Sequence, residues 1–393
     1  MNTAMKKLFL YILAAISVAA ATVAVLLFVF STKNVSEKPV VNVSVQAQEI
    51  SEHGGEYKFW FSQLNNEGKH AYNLILESIY SMPEEIAINR IDSQELDAVF
   101  YALMSDNPDL FFVGRKCVLR TVGNDTWFSV DYIIEKEDYQ QMKNELDAVC
   151  QKVIASLSNP EDKWQTELEI HDYIIDNCAY ELDEKLGSTA YGVLVNGMGA
   201  CEGYSKAAKL LFDAAGVESA IISGNAQNRA GNREPHMWNI VTIDGEKYHL
   251  DCTWDDPVDE SGVQTRTYLY FNVDDEILCK THFDFSYDFV CDSMQANYFV
   301  KTGTYFESYD RSCEQKLADA VVSELERGND TAYFRFADKE AYDAANKDLL
   351  ENERIYTVLK LAKDSSDFDL STQTTGYITE DDLLIFAVIP KIG

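Results

Sequence analysis

The sequence predicts an α+β protein, in which a central domain of helices and antiparallel strands follows an α/β region and precedes a small α+β domain. Three observations predict it. Apolar residues recur at helical spacing in some stretches, as at Ala71, Leu74, Ile75 and Ile79, and alternate as in strands elsewhere. Asp244-Gly245 lies between two alternating stretches and is a strong two-residue hairpin signal. A glycine-rich turn, Asn196-Gly197-Met198-Gly199-Ala200, runs directly into an amphipathic helix that begins near Cys201.

Residues 1–32 form the first segment. Leu8 to Phe30 carry no charge and are long enough to cross a hydrocarbon core at about 1.5 Å per residue. Lys6 and Lys7 precede them and favour a cytoplasmic N-terminus. The expectation is a single-pass membrane anchor with the rest of the chain outside the cell membrane; secretion after signal cleavage is the alternative. Residues 33–55 are polar, contain Pro39 and read as a linker.

Residues 56–158 read as the N-terminal α/β region. Helices are expected over 67–80 and from Ser93, as N-cap, to Met104. Asp106-Asn107-Pro108-Asp109 is a turn, strands follow over 110–113, 117–122 and 127–134, and a helix over 136–157 closes the region. Asn159-Pro160 breaks the chain, and 159–302 is the expected catalytic domain. Its first helix, 161–178, lines up Trp164, Leu168, His171, Ile175 and Cys178. Residues 303–393 read as the C-terminal α+β domain, with helices over 312–327 and 339–350 and strands over 333–337 and 383–389.

The chain has 33 basic and 65 acidic residues, a formal net charge of −32. Such a surface repels nucleic acid, so no nucleic-acid partner is expected. The eight cysteines, at 117, 150, 178, 201, 252, 279, 291 and 313, include no C-x-x-C pair. That removes the support for a zinc knuckle and weakens a redox reading.

The chemistry concentrates between Tyr191 and Pro257. Cys201 falls at the start of a helix whose apolar face is Tyr204, Ala207, Ala208, Leu211, Phe212 and Ala215, and Gly216 is placed to end it. A helix N-terminus favours a thiolate, and its backbone N–H groups suit an oxyanion. Closing the hairpin on Asp244-Gly245 pairs Ile243 with Glu246, Trp238 with Asp251 and His236 with Thr253. His236, Trp238, His249, Asp251 and Thr253 then share one face, with His236 and Asp251 about 7–8 Å apart at Cα. Met237, Asn239, Val241, Ile243, Tyr248, Leu250 and Cys252 take the other face, mostly core. A thiol, an imidazole and a carboxylate in this order suit nucleophile, base and orienter.

Three stretches carry a resemblance: Gly199-Ala200-Cys201-Glu202-Gly203-Tyr204, His236-Met237-Trp238-Asn239, and Tyr248-His249-Leu250-Asp251-Cys252-Thr253-Trp254-Asp255-Asp256. They resemble the transglutaminase-like superfamily, whose papain-like cores use Cys, His and Asp in this chain order. The resemblance is specific over about 164–257 and is closest to exported bacterial members. Tyr270-Phe271-Asn272-Val273-Asp274-Asp275, Asn297-Tyr298-Phe299-Val300-Lys301, and Asp106-Asn107-Pro108 with Phe111-Phe112 are also similar to those proteins.

The resemblance implies Cys201 as nucleophile, His236 as base, Asp251 as orienter, a thioester intermediate and no cofactor. It implies a protein or peptide substrate, with cell-wall-associated ones among the candidates. Acyl transfer to an amine, deamidation and proteolysis share the first half-reaction and stay open. Gly199, Tyr204, Trp238 and Trp254 are candidates for the substrate cleft, and Tyr191 for a further oxyanion donor. Glu202 beside a thiolate would oppose it unless it points to solvent. His171 is expected to be a satisfied core histidine, His249 structural, and Asp255-Asp256 a turn. The alternative function is a surface binding module with an intact but unused triad.

Overall fold

The computed structural model describes residues 57–228, 231–257, 265–286 and 289–393. The chain divides into two units, one ending at Asp147 and the other beginning at Ala148. In the first, α1 (Phe59–Gln63), α2 (Asn66–Ile79) and α3 (Ser93–Asp106) accompany the strands β1 (Ile86–Ile88), β2 (Val113–Val122) and β3 (Asp125–Tyr132). The sheet is antiparallel in the order β1-β3-β2. Asp92 caps α3 by accepting from Glu95 N–H, one residue before the expected Ser93. A carboxylate at the cap offers the helix a full negative charge where the hydroxyl offers only a dipole. Asp106, at the end of α3, is fully buried and accepts from the backbone N–H groups of Trp60 and Phe61. The helix α4 (Tyr139–Ser156) contains the division between the units.

The transmembrane expectation is corrected here. Among the described residues no helix is long and apolar enough to cross a membrane. The long helix α4 shows why, since Lys143, Glu145, Asp147 and Lys152 interrupt it. The expected anchor, residues 8–30, lies outside the described residues, as does the linker over 33–55.

The second unit opens with α5 (Lys163–Asn177), capped by Asp162. A short strand β4 (Ala179–Tyr180) pairs in parallel with β5 (Met198–Gly199), and between them a π-helical turn spans Gly192–Asn196. Then come α6 (Cys201–Ala215), β6 (Ser219–Gln227), β7 (Arg233–Ile243) and β8 (Glu246–Leu250). After α7 (Asp275–Leu278), β9 (His282–Phe283) joins the far edge, giving an antiparallel sheet in the order β8-β7-β6-β9. Asp244 and Gly245 both have positive φ, 53° and 87°, which lets the two-residue turn match the strand twist. The register runs from Ile243↔Glu246 to Asn239↔Leu250, as the hairpin signal predicts. The face that carries His236 and Trp238 is buried as well: Trp238 is 1% exposed and His249 0%. Segments after β8, including His282 and Phe285, cover it.

The rest of the second unit contains α8 (Tyr298–Thr302), β10 (Tyr305–Phe306), α9 (Glu314–Glu326), β11 (Ala332–Phe336), α10 (Lys339–Asn346), α11 (Ile355–Asp364), β12 (Leu370–Glu380) and β13 (Ile385–Ile392). Its sheet has the order β10-β11-β13-β12, and Val321, Phe334, Leu359 and Phe386 share a core beneath it. The sequence reading missed α11 and β12. β12 is an edge strand rich in serine and threonine, so it carries no apolar alternation to read.

Candidate active site

Cys201 is the first residue of α6. Ala200 occupies the cap position and offers no side-chain oxygen, whereas α2, α3 and α5 are capped by Asn65, Asp92 and Asp162. The first-turn N–H groups of α6 therefore have no side-chain acceptor at the cap. The approach to Cys201 is built from glycine for a spatial reason. A Cβ on Gly203 would lie 2.2 Å from the Gly187 carbonyl oxygen, and one on Gly192 would lie 2.2 Å from that of Leu186. Gly197 has a φ of 70°, and Ala200 N–H donates to Gly187 O at 2.9 Å. The loop before the nucleophile is thus pinned against the segment over 186–187.

His236 leaves the middle of β7, and Asp251 follows the last residue of β8. The diagonal placement brings His236 Nε2 to 2.6 Å from Asp251 Oδ2. Asp251 is 1% exposed and His236 7%. With Nε2 on the carboxylate, Nδ1 is the nitrogen left for Cys201, whose side chain also bonds the ring. Burial alone would push the imidazole down. The charge and hydrogen bond of Asp251, with Cys201 behind them, outweigh burial and hold His236 at about 10. Burial would raise Asp251, but His236 and His282 hold it well below the usual carboxylate range. Its other oxygen, Oδ1, accepts from the N–H groups of Thr253 and Trp254 at 3.0 and 3.2 Å.

His282 was absent from the sequence reading. Its Nε2 lies 3.0 Å from Asp251 Oδ2, the same oxygen that holds His236. The alternation in Thr281-His282-Phe283-Asp284-Phe285 is the one local signal it carries. Around these groups the site is aromatic. Trp238 stacks on His236 at 6.1 Å, and Trp254 approaches His282 at 4.7 Å.

The other expected residues divide by place. Trp254 and Thr253 line an open cleft of about 280 Å³ with Tyr180, Glu234, Pro235 and His236. Trp238 is buried behind His236 and donates its Nε1–H to His249 Nδ1 at 3.1 Å, so it packs rather than lining the cleft. Tyr204 is fully buried, and its hydroxyl donates to Asp256 Oδ2 at 2.6 Å. Gly199 is a packing position, where a Cβ would meet Val193 Cγ2 at 2.4 Å. Tyr191 is buried at the start of the π-helical turn and does not line the cleft. Glu202 pairs with Lys206 at 2.8 Å, which offsets the negative charge beside the nucleophile.

The remaining polar residues hold the frame. His171 is buried between Asp172 and Asp255. Asp255 sits in the turn after β8 but is fully buried, accepting from Thr267 Oγ1 and Tyr270 N–H as well. Asn272, with a φ of 53°, donates to the buried Glu167 at 2.8 Å.

Two sets of metal-type ligand atoms lie within 4.8 Å of one another: His236, Asp251 and His282, and His249, Asp275 and Cys291. Hydrogen bonds account for the first set and for the His249–Asp275 pair of the second. The 2.6 Å between His236 and Asp251 is shorter than the roughly 3.3 Å between neighbouring ligands of a tetrahedral zinc ion. The Trp238 N–H makes Nδ1 of His249 the acceptor, so Nε2 carries the hydrogen and donates to Asp275 at 2.8 Å.

Residues 147–252 match the family model of the transglutaminase-like superfamily. That segment belongs to this superfamily. The match starts at the division between the two units and takes in Cys201, His236 and Asp251. Solved structures similar to the chain include a TGase, at 16% identity and a TM-score of 0.25, covering 49% of this chain and 56% of that one. A candidate cysteine protease from Cytophaga hutchinsonii is 13% identical, with a TM-score of 0.24 over 33% of this chain and 52% of that one. The periplasmic domain of TgpA from Pseudomonas aeruginosa is 15% identical, with a TM-score of 0.21 over 34% and 57%. The chain thus spans about half the length of these structures. No curated protein matches it. The transglutaminase-like segment ends at Cys252, so His282 lies beyond it.

Proposed function

We propose that the chain is a thiol enzyme that transfers acyl groups from carboxamides or peptide bonds of proteins or peptides. One observation carries the reading: a single imidazole, His236, bonds Asp251 at 2.6 Å through one nitrogen and has the other free for Cys201, which begins a helix. Held at about 10, His236 is an imidazolium at neutral pH, placed to pair with the Cys201 sulfur as that sulfur becomes the nucleophile.

The thiolate attacks the substrate carbonyl, forming a carbon–sulfur bond and pushing the carbonyl electrons onto oxygen. The first-turn N–H groups of α6 stabilise that oxyanion. His236 gives its proton to the departing ammonia or amine as the carbon–nitrogen bond breaks, leaving a thioester. A second nucleophile, deprotonated by the now neutral His236, attacks the thioester and releases Cys201. The cleft beside His236 is open and partly polar, with Glu234 and Thr253 at its wall, and Cys201 is itself partly exposed, which supports access of water to the thioester. Hydrolysis is therefore the favoured outcome, with transfer to an amine as the second reading. The chain's charge of −32 favours substrates that carry positive charge. Export, led by the apolar stretch over 8–30, would put such substrates outside the cytoplasm.

The test incubates the chain and its Cys201→Ala variant with glutamine-containing peptides and a tagged primary amine, and weighs the products. Acid in place of amide, or shorter peptides, only with the wild type means hydrolysis, and tagged peptide means transfer. Iodoacetamide labelling at pH 7 runs beside it. Cys201 should label before Cys117, Cys178 and Cys291, because burial pushes those three thiols up to about 12. Labelling of Cys201 no faster than of those three would refute the proposal.

A further inference from the structure

We propose that His282 is a positioning residue of this site: as the second imidazole on Asp251, it fixes the carboxylate in the orientation that aims His236 at Cys201. This rests on the role proposed for Cys201. Asp251 Oδ2 faces two ring nitrogens, His236 Nε2 at 2.6 Å and His282 Nε2 at 3.0 Å. A carboxylate only accepts, so both nitrogens carry hydrogen. Nδ1 of His282 is then an acceptor, and Thr281 Oγ1 supplies its hydrogen at 2.9 Å. Tyr270 OH lies 3.1 Å from the same Thr281 oxygen and can donate to it. Leu278 O, at 3.4 Å, is the more distant acceptor for the Thr281 hydroxyl, so with its hydrogen on His282 the donors run in one direction, from Tyr270 through Thr281 and His282 to Asp251.

Each link is dry. His282 is 0% exposed, and its ring is enclosed by Trp238, Trp254 and Tyr270 at 4.7 to 5.4 Å. Burial pushes His282 down, and the nearby charge of Asp251 does not restore it. The two imidazoles on one carboxylate therefore differ: His236 holds the charge and His282 is a neutral donor. Together with the Thr253 and Trp254 N–H groups on Oδ1, His282 fills the acceptor positions of Asp251 that His236 does not use. A carboxylate gripped at both oxygens does not rotate, and a fixed carboxylate fixes the imidazole it holds. His282 reaches this place because β9 pairs with β6 through Ala226↔His282, and it lies beyond the family-matched segment.

The test uses the full chain and the variants His282→Gln, which keeps an N–H near the Nε2 position, and His282→Leu, which has none. The second-order rate of iodoacetamide labelling of Cys201 at pH 7 is measured beside the thermal midpoint. The expected result is a labelling rate at least tenfold lower in the Leu variant and within threefold of wild type in the Gln variant, with similar midpoints for both. Equal slowing in both variants, or none in either, would overturn the proposal. If both variants fail to fold, Thr281→Val decides. It leaves His282 in place and frees its tautomer, and should slow labelling severalfold; an unchanged rate overturns the proposal. Slow labelling in the wild type itself would instead remove the role of Cys201, so the two failures are distinguishable.

Discussion

Replacing Asp251 by Asn separates the charge of this residue from its shape, because the two side chains are nearly isosteric. All the partners of Asp251 are donors: His236 and His282 on Oδ2, Thr253 and Trp254 N–H on Oδ1. Asparagine has one accepting oxygen and one NH₂ group. In either orientation, two donors face its NH₂. Turned toward the backbone, the NH₂ meets two N–H groups that cannot change, and each unmet buried group costs about 1–3 kcal/mol. Turned toward the imidazoles, it is accommodated if both rings switch tautomer, and only the charge-assisted bonds weaken. The second arrangement costs less, about 2 kcal/mol, and should lower the melting midpoint by roughly 4–8 °C. It reverses His236, however, so that a hydrogen on Nδ1 faces Cys201 where a base is needed. A base in the wrong tautomer loses up to about four orders of magnitude in turnover. His236 also loses the charge that holds it at about 10, and burial then makes it neutral at pH 7. The expected result for Asp251→Asn is a folded protein whose Cys201 labels with iodoacetamide at least a hundredfold more slowly at pH 7. Labelling within threefold of wild type would refute the reasoning, since neither the charge nor the tautomer would then matter.

Two further predictions concern the frame. Glu167 is fully buried; burial lifts its carboxyl to about 8 even though the Asn272 bond opposes it. The folded state therefore holds a proton that the unfolded chain releases near pH 4.3, and this contribution to stability is lost as pH rises from there to about 8. Glu167→Gln should gain in melting midpoint relative to wild type between pH 5 and pH 8, by several degrees; a difference that does not vary with pH would count against the assignment. Gly203→Ala would drive a Cβ to 2.2 Å from the backbone oxygen of Gly187, which Ala200 N–H also uses. It should destabilise by about 1–3 kcal/mol and slow labelling of Cys201, as urea unfolding and the same alkylation assay would show.

The three residues of the proposed triad were legible because each sits on a local signal. A glycine-rich turn and an apolar helical face place Cys201 at a helix start, and Gly216 ends that helix with a φ of 67°. The Asp-Gly turn fixes the hairpin register, and a period of two then puts His236 and Asp251 on one face. Within the first few residues of such elements, the chain has few alternatives, so sequence alone determines them. The sequence also carried the α+β class and most helices of both units, through capping residues and apolar spacing. Other features needed the folded chain. Whether Trp238 lines the cleft or packs depends on what covers β7, and only the later segment around His282 and Phe285 answers that. Asp255 read as a turn and is also a buried anchor for His171, because its partners Thr267 and Tyr270 are distant from the turn itself. His282 reaches Asp251 by joining a strand far from it in sequence, and no local pattern encodes that pairing. Sequence determined which groups can carry the chemistry. Tertiary structure decided how many hands hold them, because a hydrogen bond acts over about 3 Å and only long-range pairing brings such distant residues that close.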